Sequence, residues 1–320
     1  MPQGFIFGIV RALLVILGVV TLTFLLLHAA PGSPVSHLLG PSASPAEVAT
    51  VERSFGLDQP VAEQYLRWIG QAVRGRFGTS IATGRPVLGM IAEAWPATVM
   101  LVGLSILLGH LFGIGVAAIQ ATTRHQGVDG FWSVVSVVLA ALPGYWLAFA
   151  LVMVFTYTLR WLPAFGAVGI DSDFLSTGER LTDRLAHLAL PLTTLTLIGI
   201  GTTARYAQGT LKRVALDPYL TVAHAKGARP LRVLLCHHLR NGLVPVVALL
   251  GVSLPALFSG AVFVEGVFSW PGVGSILIHA VQARDYPVVM AATTVSAVLV
   301  VLGSVVAEAL LHRVDPRTRR

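Results

Sequence analysis

Long apolar runs, each close to the length that carries a helix through a bilayer, alternate with short polar stretches over most of this chain. The first extends from Ala12 to Ala30, entered after Arg11 and closed by Pro31. The small residues Ala29 and Ala30 would suit cleavage of a signal peptide, but about 19 residues is long for a signal core and right for a span. Pro31 directly after it also argues against cleavage. Further runs cover Ala97 to Ala121, about Phe131 to Leu159, about His187 to Tyr206, Leu243 to about Phe263, and Pro287 to Leu311. The pattern predicts an all-α polytopic bundle with six spans, in which the first helix (1–30) is separated from a five-helix core (97–312) by a mixed insertion at 31–96, with a basic tail at 313–320.

The insertion has its own helical punctuation. Ser44-Pro45-Ala46-Glu47 is a capping box with proline in the first turn, and Gly56 closes the helix it opens. A second helix from Pro60 to Arg74 puts Val61, Tyr65, Trp68, Ile69 and Ala72 on one stripe, and glycines and a proline break the chain from Gly75 to Pro86. Its arginines are balanced by acids, which makes it a poor candidate for the cytosolic side. Two compatible roles stay open: a cap on the outer face of the bundle, and a docking platform for an external binding protein.

Within the spans, Gly109-His110-Leu111-Phe112-Gly113 has the spacing that lets helices approach closely, which in lipid replaces the missing hydrophobic drive. His110 either faces a polar pathway or sits neutral, bonded to a neighbouring helix. Pro143-Gly144 predicts a kink in the third span, with Trp146, Tyr157 and Trp161 near its outer interface. Arg160 to Ala186 is expected to be an exterior loop, with bends expected at Pro245 and Pro255 in the fifth span, which ends near Glu265. Gly266 to Tyr286, containing Ser269-Trp270-Pro271-Gly272, is expected to form a short re-entrant or interfacial turn.

One polar island interrupts this pattern, Leu211 to Val246, with the loop proper at 211–243. Asp217 before Pro218 is a helix start, and Gly227 can take the left-handed conformation that ends a helix. Arg229 before Pro230 is biased to be extended, so a second helix begins at Pro230. The small residues Ala223, Ala225, Gly227 and Ala228 would let the first helix lie deep in a groove on another protein, with His224 and Lys226 at its end. An ordinary loop made basic by membrane topology explains the charge but not this helix, glycine, proline, helix order.

Charged residues make up 12% of the 320 residues, against roughly 25% in soluble domains. The 22 Lys and Arg outnumber 15 Asp and Glu, yet the surplus sorts by side of the membrane and does not form a nucleic-acid stripe. Arg11, Arg124, Lys212, Arg213, Lys226, Arg229, Arg232, Arg240 and the tail arginines all fall on one side, which the positive-inside rule assigns to the cytosol, with both termini inside. The single cysteine, Cys236, rules out an internal disulfide framework. No phosphate loop, His-Glu-x-x-His or nucleophile elbow occurs, so no catalytic or metal residues are assigned. An ion-coupled carrier or channel would share this hydropathy but should show charged residues in mid-span, and only His110 qualifies.

The run Ala223-His224-Ala225-Lys226-Gly227, then Leu239-Arg240-Asn241-Gly242-Leu243-Val244-Pro245, Val267-Phe268-Ser269-Trp270-Pro271-Gly272-Val273-Gly274 and Arg284-Asp285-Tyr286-Pro287 resemble the permease subunits of bacterial ABC importers for dipeptides and oligopeptides. The broader importer pattern, Glu-Ala-Ala, three residues, Gly, is only half kept, with Thr221 and Val222 in the first positions and matches at Ala223 and Gly227. The resemblance implies a type I importer permease fold in the plasma membrane and a coupling contact with cytosolic ATPases through Asp217, Tyr219, Ala223, His224, Ala225, Lys226, Gly227 and Ala228. It further implies a second homologous permease, two ATP-binding subunits that hold ATP and magnesium in place of this chain, an extracytoplasmic peptide-binding protein, and contact with lipid but not nucleic acid. His110, Glu265 and Trp270 are the candidates for the translocation pathway. Nickel chelates and glutathione are alternative cargoes for permeases of this resemblance.

Overall fold

The computed structural model describes residues 2–40, 43–123, 125–215, 217–219, 222, 226, 230–233 and 260–314. Their regular elements are helical: α1 (Pro2–Ala29), α2 (Pro34–Leu39), α3 (Pro45–Phe55), α4 (Val61–Ala72), α5 (Val87–Thr122), α6 (Gln126–Ala141), α7 (Gly144–Leu151), α8 (Thr177–Ala215), α9 (Pro230–Val233), α10 (Val273–Gln282) and α11 (Tyr286–Val314). A π-helical stretch, Val152–Thr158, prolongs α7, and an isolated antiparallel bridge joins Thr79 to Pro86. Val10–Ala29, Val87–Thr122, Thr177–Ala215 and Tyr286–Val306 are long and apolar enough to cross a membrane, and the pair Gln126–Ala141 and Gly144–Thr158 supplies a fifth candidate if it counts as one span. Most of the expected span from Leu243 to Phe263 lies outside the described residues. The chain groups into two compact units, Met1–Thr98 with Pro271–Val301, and Val99–Trp270 with Leu302–Arg320.

In the first unit α1 meets the insertion. Val20, Phe24 and Met290 form a small core covered by Ile16, Leu27, Tyr65 and Trp68, so two residues of the α4 stripe pack as its spacing predicts, while Ile69 and Ala72 are half-buried and Val61 is exposed. Helix α3 starts on the expected capping box: the Ser44 hydroxyl accepts from the Glu47 amide at 3.3 Å, and the Glu47 carboxylate accepts from the Ser44 amide at 2.8 Å. Gly56 ends it at φ +68°, a left-handed conformation that costs glycine little. Those Ser44 donors hold the Glu47 carboxyl below its usual range. A second core joins Val87, Ile91 and Ala94 of α5 to Val273 and Ala280 of α10 and to Val288, Val289, Ala291 and Ala292 of α11.

The second unit is built on close backbone approach. A Cβ added to Gly109 of α5 would lie 3.0 Å from the Gly199 Cα of α8, and one added to Gly113 would lie 2.7 Å from the Thr203 Cβ. The glycine pair of α5 thus makes the contact expected of it. On the opposite side of α8, a Cβ at Gly201 would meet the Ala140 amide nitrogen at 2.7 Å and the Ser136 carbonyl oxygen at 2.8 Å. Where side chains would otherwise hold helices 8–10 Å apart, these glycines let α5 and α6 close on α8 from two sides.

Three sequence expectations change. Pro143 does not kink a continuous third span but breaks it, and α6 and α7 meet at 107°. Leu142, the residue before proline, is extended at φ −68°, ψ 131°, and Pro143 repeats this at φ −60°, ψ 133°, so two consecutive residues leave the helical region. The loop expected up to Ala186 folds earlier, because Ser176 and Glu179 make a capping box: the Ser176 amide and hydroxyl donate to the Glu179 carboxylate at 2.9 and 2.7 Å. Helix α8 therefore has 39 residues, with Pro191 accommodated inside it. Finally, the segment expected as a turn between Gly266 and Tyr286 contains the ten-residue helix α10, capped by an extended Gly272.

Replacing Gly201 by valine should cost about 1–3 kcal/mol through overpacking against α6. The thermal midpoint of the detergent-solubilised protein should fall, whereas Gly115→Ala, where nothing lies within 4 Å, should leave it in place. Equal midpoints for the two variants would contradict the packing described.

Candidate functional site

The polar island follows directly from α8. The Asp217 amide bonds back to the Val214 carbonyl at 3.0 Å, and Pro218 and Tyr219 are again helical, so a new helix starts where Asp217-Pro218 predicts. The Lys226 amide donates to the Val222 carbonyl at 3.0 Å, the i to i−4 bond of a helical turn, and both residues are exposed. Helix α9 then opens at Pro230, with Arg232 exposed and Val233 buried. Ala223, His224, Ala225, Gly227 and Ala228 lie outside the described residues. Of the coupling candidates, Asp217, Tyr219 and Lys226 are therefore located, the first half-buried and the others exposed.

The pathway candidates are all buried, at 8% for His110, 0% for Glu265 and 3% for Trp270. A sharp turn at Ser269, φ +49°, brings two of them together: the Trp270 amide donates to the Glu265 carbonyl at 2.9 Å. His110 instead bonds within its own helix, Nδ1 lying 2.9 Å from the Ile106 carbonyl, and its buried Nε2 has no partner among the described residues. The reading of His110 as a bond to a neighbouring helix is thus not what the described contacts hold. A carboxylate and an imidazole buried this fully are costly in an apolar surround.

Asp285, part of the Arg284-Asp285-Tyr286-Pro287 run, organises the first unit. It is buried at 3% and accepts from the Ser80 hydroxyl, the Ile81 amide at 3.1 Å and the Ala82 amide at 3.3 Å. It also stands at the start of α11, where its carbonyl accepts the Val289 amide at 3.0 Å. Nearby, Tyr286 donates its hydroxyl to the Leu27 carbonyl at 2.8 Å, and Arg284 donates to the Pro31 carbonyl, so consecutive residues tie α11 to the 80–82 turn and to the end of α1. Beside this knot a cavity of about 440 Å³ opens, lined by Ser80, Thr83, Met90, Ser275, Ile276 and His279 with the Arg85–Glu93 ion pair (2.7 Å) at its edge. No signal in the sequence links residues 80–82 to 285, because the contact spans some two hundred positions.

A bundle of described helices with four or five candidate membrane spans is the architecture of a polytopic membrane protein. The fold agrees with a chain of the MetNI methionine ABC transporter solved in inward-facing conformations, at TM-score 0.54 and 14% identity over 72% of this chain and 98% of that one. The chain belongs to the family described as binding-protein-dependent transport system inner membrane component, which matches residues 87–320, preceded by the N-terminal membrane-component model of the same systems over residues 1–102. It is 36% identical over 304 residues to the oligopeptide transport system permease protein AppB of Bacillus subtilis, covering 95% of both chains. It is 33% identical over 321 residues to the probable D,D-dipeptide transport system permease protein DdpB of Escherichia coli, covering 96% of this chain and 94% of that one.

Substituting Asp285 by alanine would strand the Ile81 and Ala82 amides and the Ser80 hydroxyl, and should cost at least about 2 kcal/mol. Hydrogen exchange at the amides of residues 81 and 82 should accelerate in that variant and less so in Asp285→Asn. Unchanged exchange in both would contradict the role given to the carboxylate.

Proposed function

We propose that this chain is one of two permease subunits of an ATP-driven peptide importer in the bacterial plasma membrane, and that the segment from Asp217 to Ala228 is its contact with cytosolic ATPases. The observation that carries the reading is the break in the chain after α8: a helix starting at Pro218, a helical bond from Lys226 to Val222, and a second helix opening at Pro230. Peptide cargo is supported by the printed names of the relatives, an oligopeptide permease and a probable D,D-dipeptide permease.

The physics of the cargo explains why such a subunit is needed. A peptide is zwitterionic, and each amide stranded in hydrocarbon costs several kcal/mol, so it needs a lined passage open to one side at a time. Uphill uptake demands about 1.4 kcal/mol for each tenfold of concentration. ATP and magnesium belong to two partner subunits in this reading, and this chain supplies the mechanical half. Closure of the ATPases pulls the Pro218 to Ala228 segment, and α8, continuous for 39 residues and about 58 Å at the standard helical rise, carries that displacement along the bundle. A second, homologous permease completes the passage. An extracytoplasmic binding protein delivers the peptide, with the insertion at 31–96 as its platform and His110, Glu265 and Trp270 toward the pathway. The orientation follows the basic residues: both termini and the coupling segment face the cytosol.

Purification in mild detergent should retain a second permease and two ATPases. In that complex Gly227→Val, at the position where the sequence predicts a left-handed helix end, should abolish peptide uptake while ATP hydrolysis and membrane insertion persist. Normal uptake by this variant would overturn the coupling role of the segment.

A further inference from the structure

The C-terminal end of α8 carries a polar cluster shared with α5 and α6. Lys212 Nζ donates to Asp129 Oδ2 at 2.6 Å, and Gln208, one turn earlier on α8, donates to Asp129 Oδ1 and to the Ser133 hydroxyl, each at 3.0 Å. From α5, the Gln120 amide donates to the same Ser133 hydroxyl at 2.9 Å, with a longer contact of 3.4 Å to the Asp129 carbonyl. Gln120 is 2% exposed, so the network has a buried root and an open rim. It draws together the last turn of α8, the first turns of α6 and the end of α5.

Its position separates it from ordinary surface pairing. Lys212 stands five residues before Asp217, and the chain between them is held by the Asp217 to Val214 bond, so whatever fixes Lys212 also fixes where the next helix starts. Both charges suit their helices as well: Asp129 lies in the first turn of α6, where the dipole favours an anion, and Lys212 in the last turn of α8, where it favours a cation. The pair is partly open, with side chains 42% and 30% exposed for Lys212 and Asp129, so it adds little to global stability. A costly arrangement of five side chains from three helices that stabilises little is better explained by what it positions.

We infer that Asp129, Lys212, Gln208, Gln120 and Ser133 form a clasp that fixes the direction in which the coupling helix leaves α8, so that force from the ATPases moves α5, α6 and α8 together instead of bending the Ala215 to Pro218 junction. These are positioning residues. They touch neither peptide nor nucleotide, and the inference rests on the coupling role proposed for 217–228.

The test uses the assembled complex in lipid vesicles, with peptide transported per ATP hydrolysed as the readout. Asp129→Asn, nearly isosteric, and Lys212→Met should each lower this ratio by about threefold to tenfold. Lys212→Arg, which keeps the charge, should retain at least about half of it. Because the two side chains act as one pair, the Asp129→Asn/Lys212→Met double variant should be no worse than the poorer single variant. Thermal midpoints should stay close to that of the parent, which a merely stabilising pair would not produce alongside lost coupling. Ratios equal to the parent in both single variants, or losses that multiply in the double variant, would overturn the clasp. Gly227→Val run in parallel separates the two ideas. If it transports normally, the coupling role itself fails; if it uncouples while the Asp129 and Lys212 variants do not, only the clasp fails.

Discussion

The second unit depends on a seam with almost no side chains in it. Gly109 against Gly199, Gly113 against Thr203 and Gly201 against the Ala140 and Ser136 backbone bring α5 and α6 within backbone contact of α8. In a bilayer, apolar side chains gain nothing by leaving lipid for one another, so helices associate through dispersion at short range and through interhelical polar contacts. Glycine opens that range. The same closeness makes the seam unforgiving, since a single added methyl group at Gly201 would collide with main-chain atoms that cannot rotate away. Three helices in such close contact have little room to slide past one another. Buried hydroxyls along them, such as Ser105 and Thr194, return their protons to carbonyls of their own helix at 2.7 and 2.8 Å and so remain compatible with an apolar surround.

The first unit solves a different problem with different chemistry. Its insertion is too polar and too short in helix to hold itself together, and no residue of α3 or α4 is fully buried. It is held instead from outside: by the apolar stripe of α4 on Phe24 and Met290, and by the Arg284, Asp285 and Tyr286 hydrogen bonds at the head of α11. A buried carboxylate that gathers backbone amides is worth more than a surface ion pair, because its acceptors are satisfied where water is scarce. The cavity beside it, with hydroxyls, an imidazole and an ion pair around an apolar floor, is thereby kept in shape by residues distant in sequence.

Features written in local sequence were legible. Hydropathy located the long helices, the Ser44 to Glu47 box and Gly56 bounded α3, and Pro230 opened α9 as its neighbours dictated. The glycine spacing of α5 announced a close contact without naming Gly199 or Thr203 as its partners, because periodicity fixes a face and not what it meets. Ser176 and Glu179 carry an equally local signal, set within a polar, loop-like composition that masks it. Pro143 announces an irregularity, but a kink and a break differ only in whether the preceding residue also leaves the helix, and Leu142 does. Asp285 and the Asp129 cluster were not legible at all, since their partners come from other helices and nothing in a single sequence pairs them.

The coupling role of the segment depends on where Lys226 lies in the working assembly. Cys236 is the only cysteine, so Lys226→Cys in a Cys236→Ser background gives one reporter thiol, which can be challenged on whole cells with a membrane-impermeant maleimide and again in the purified complex. The account predicts no labelling from outside the cell, rapid labelling of the permease freed from its ATPases, and protection once they are bound. Labelling from outside, or equal reactivity with and without the ATPases, would contradict it.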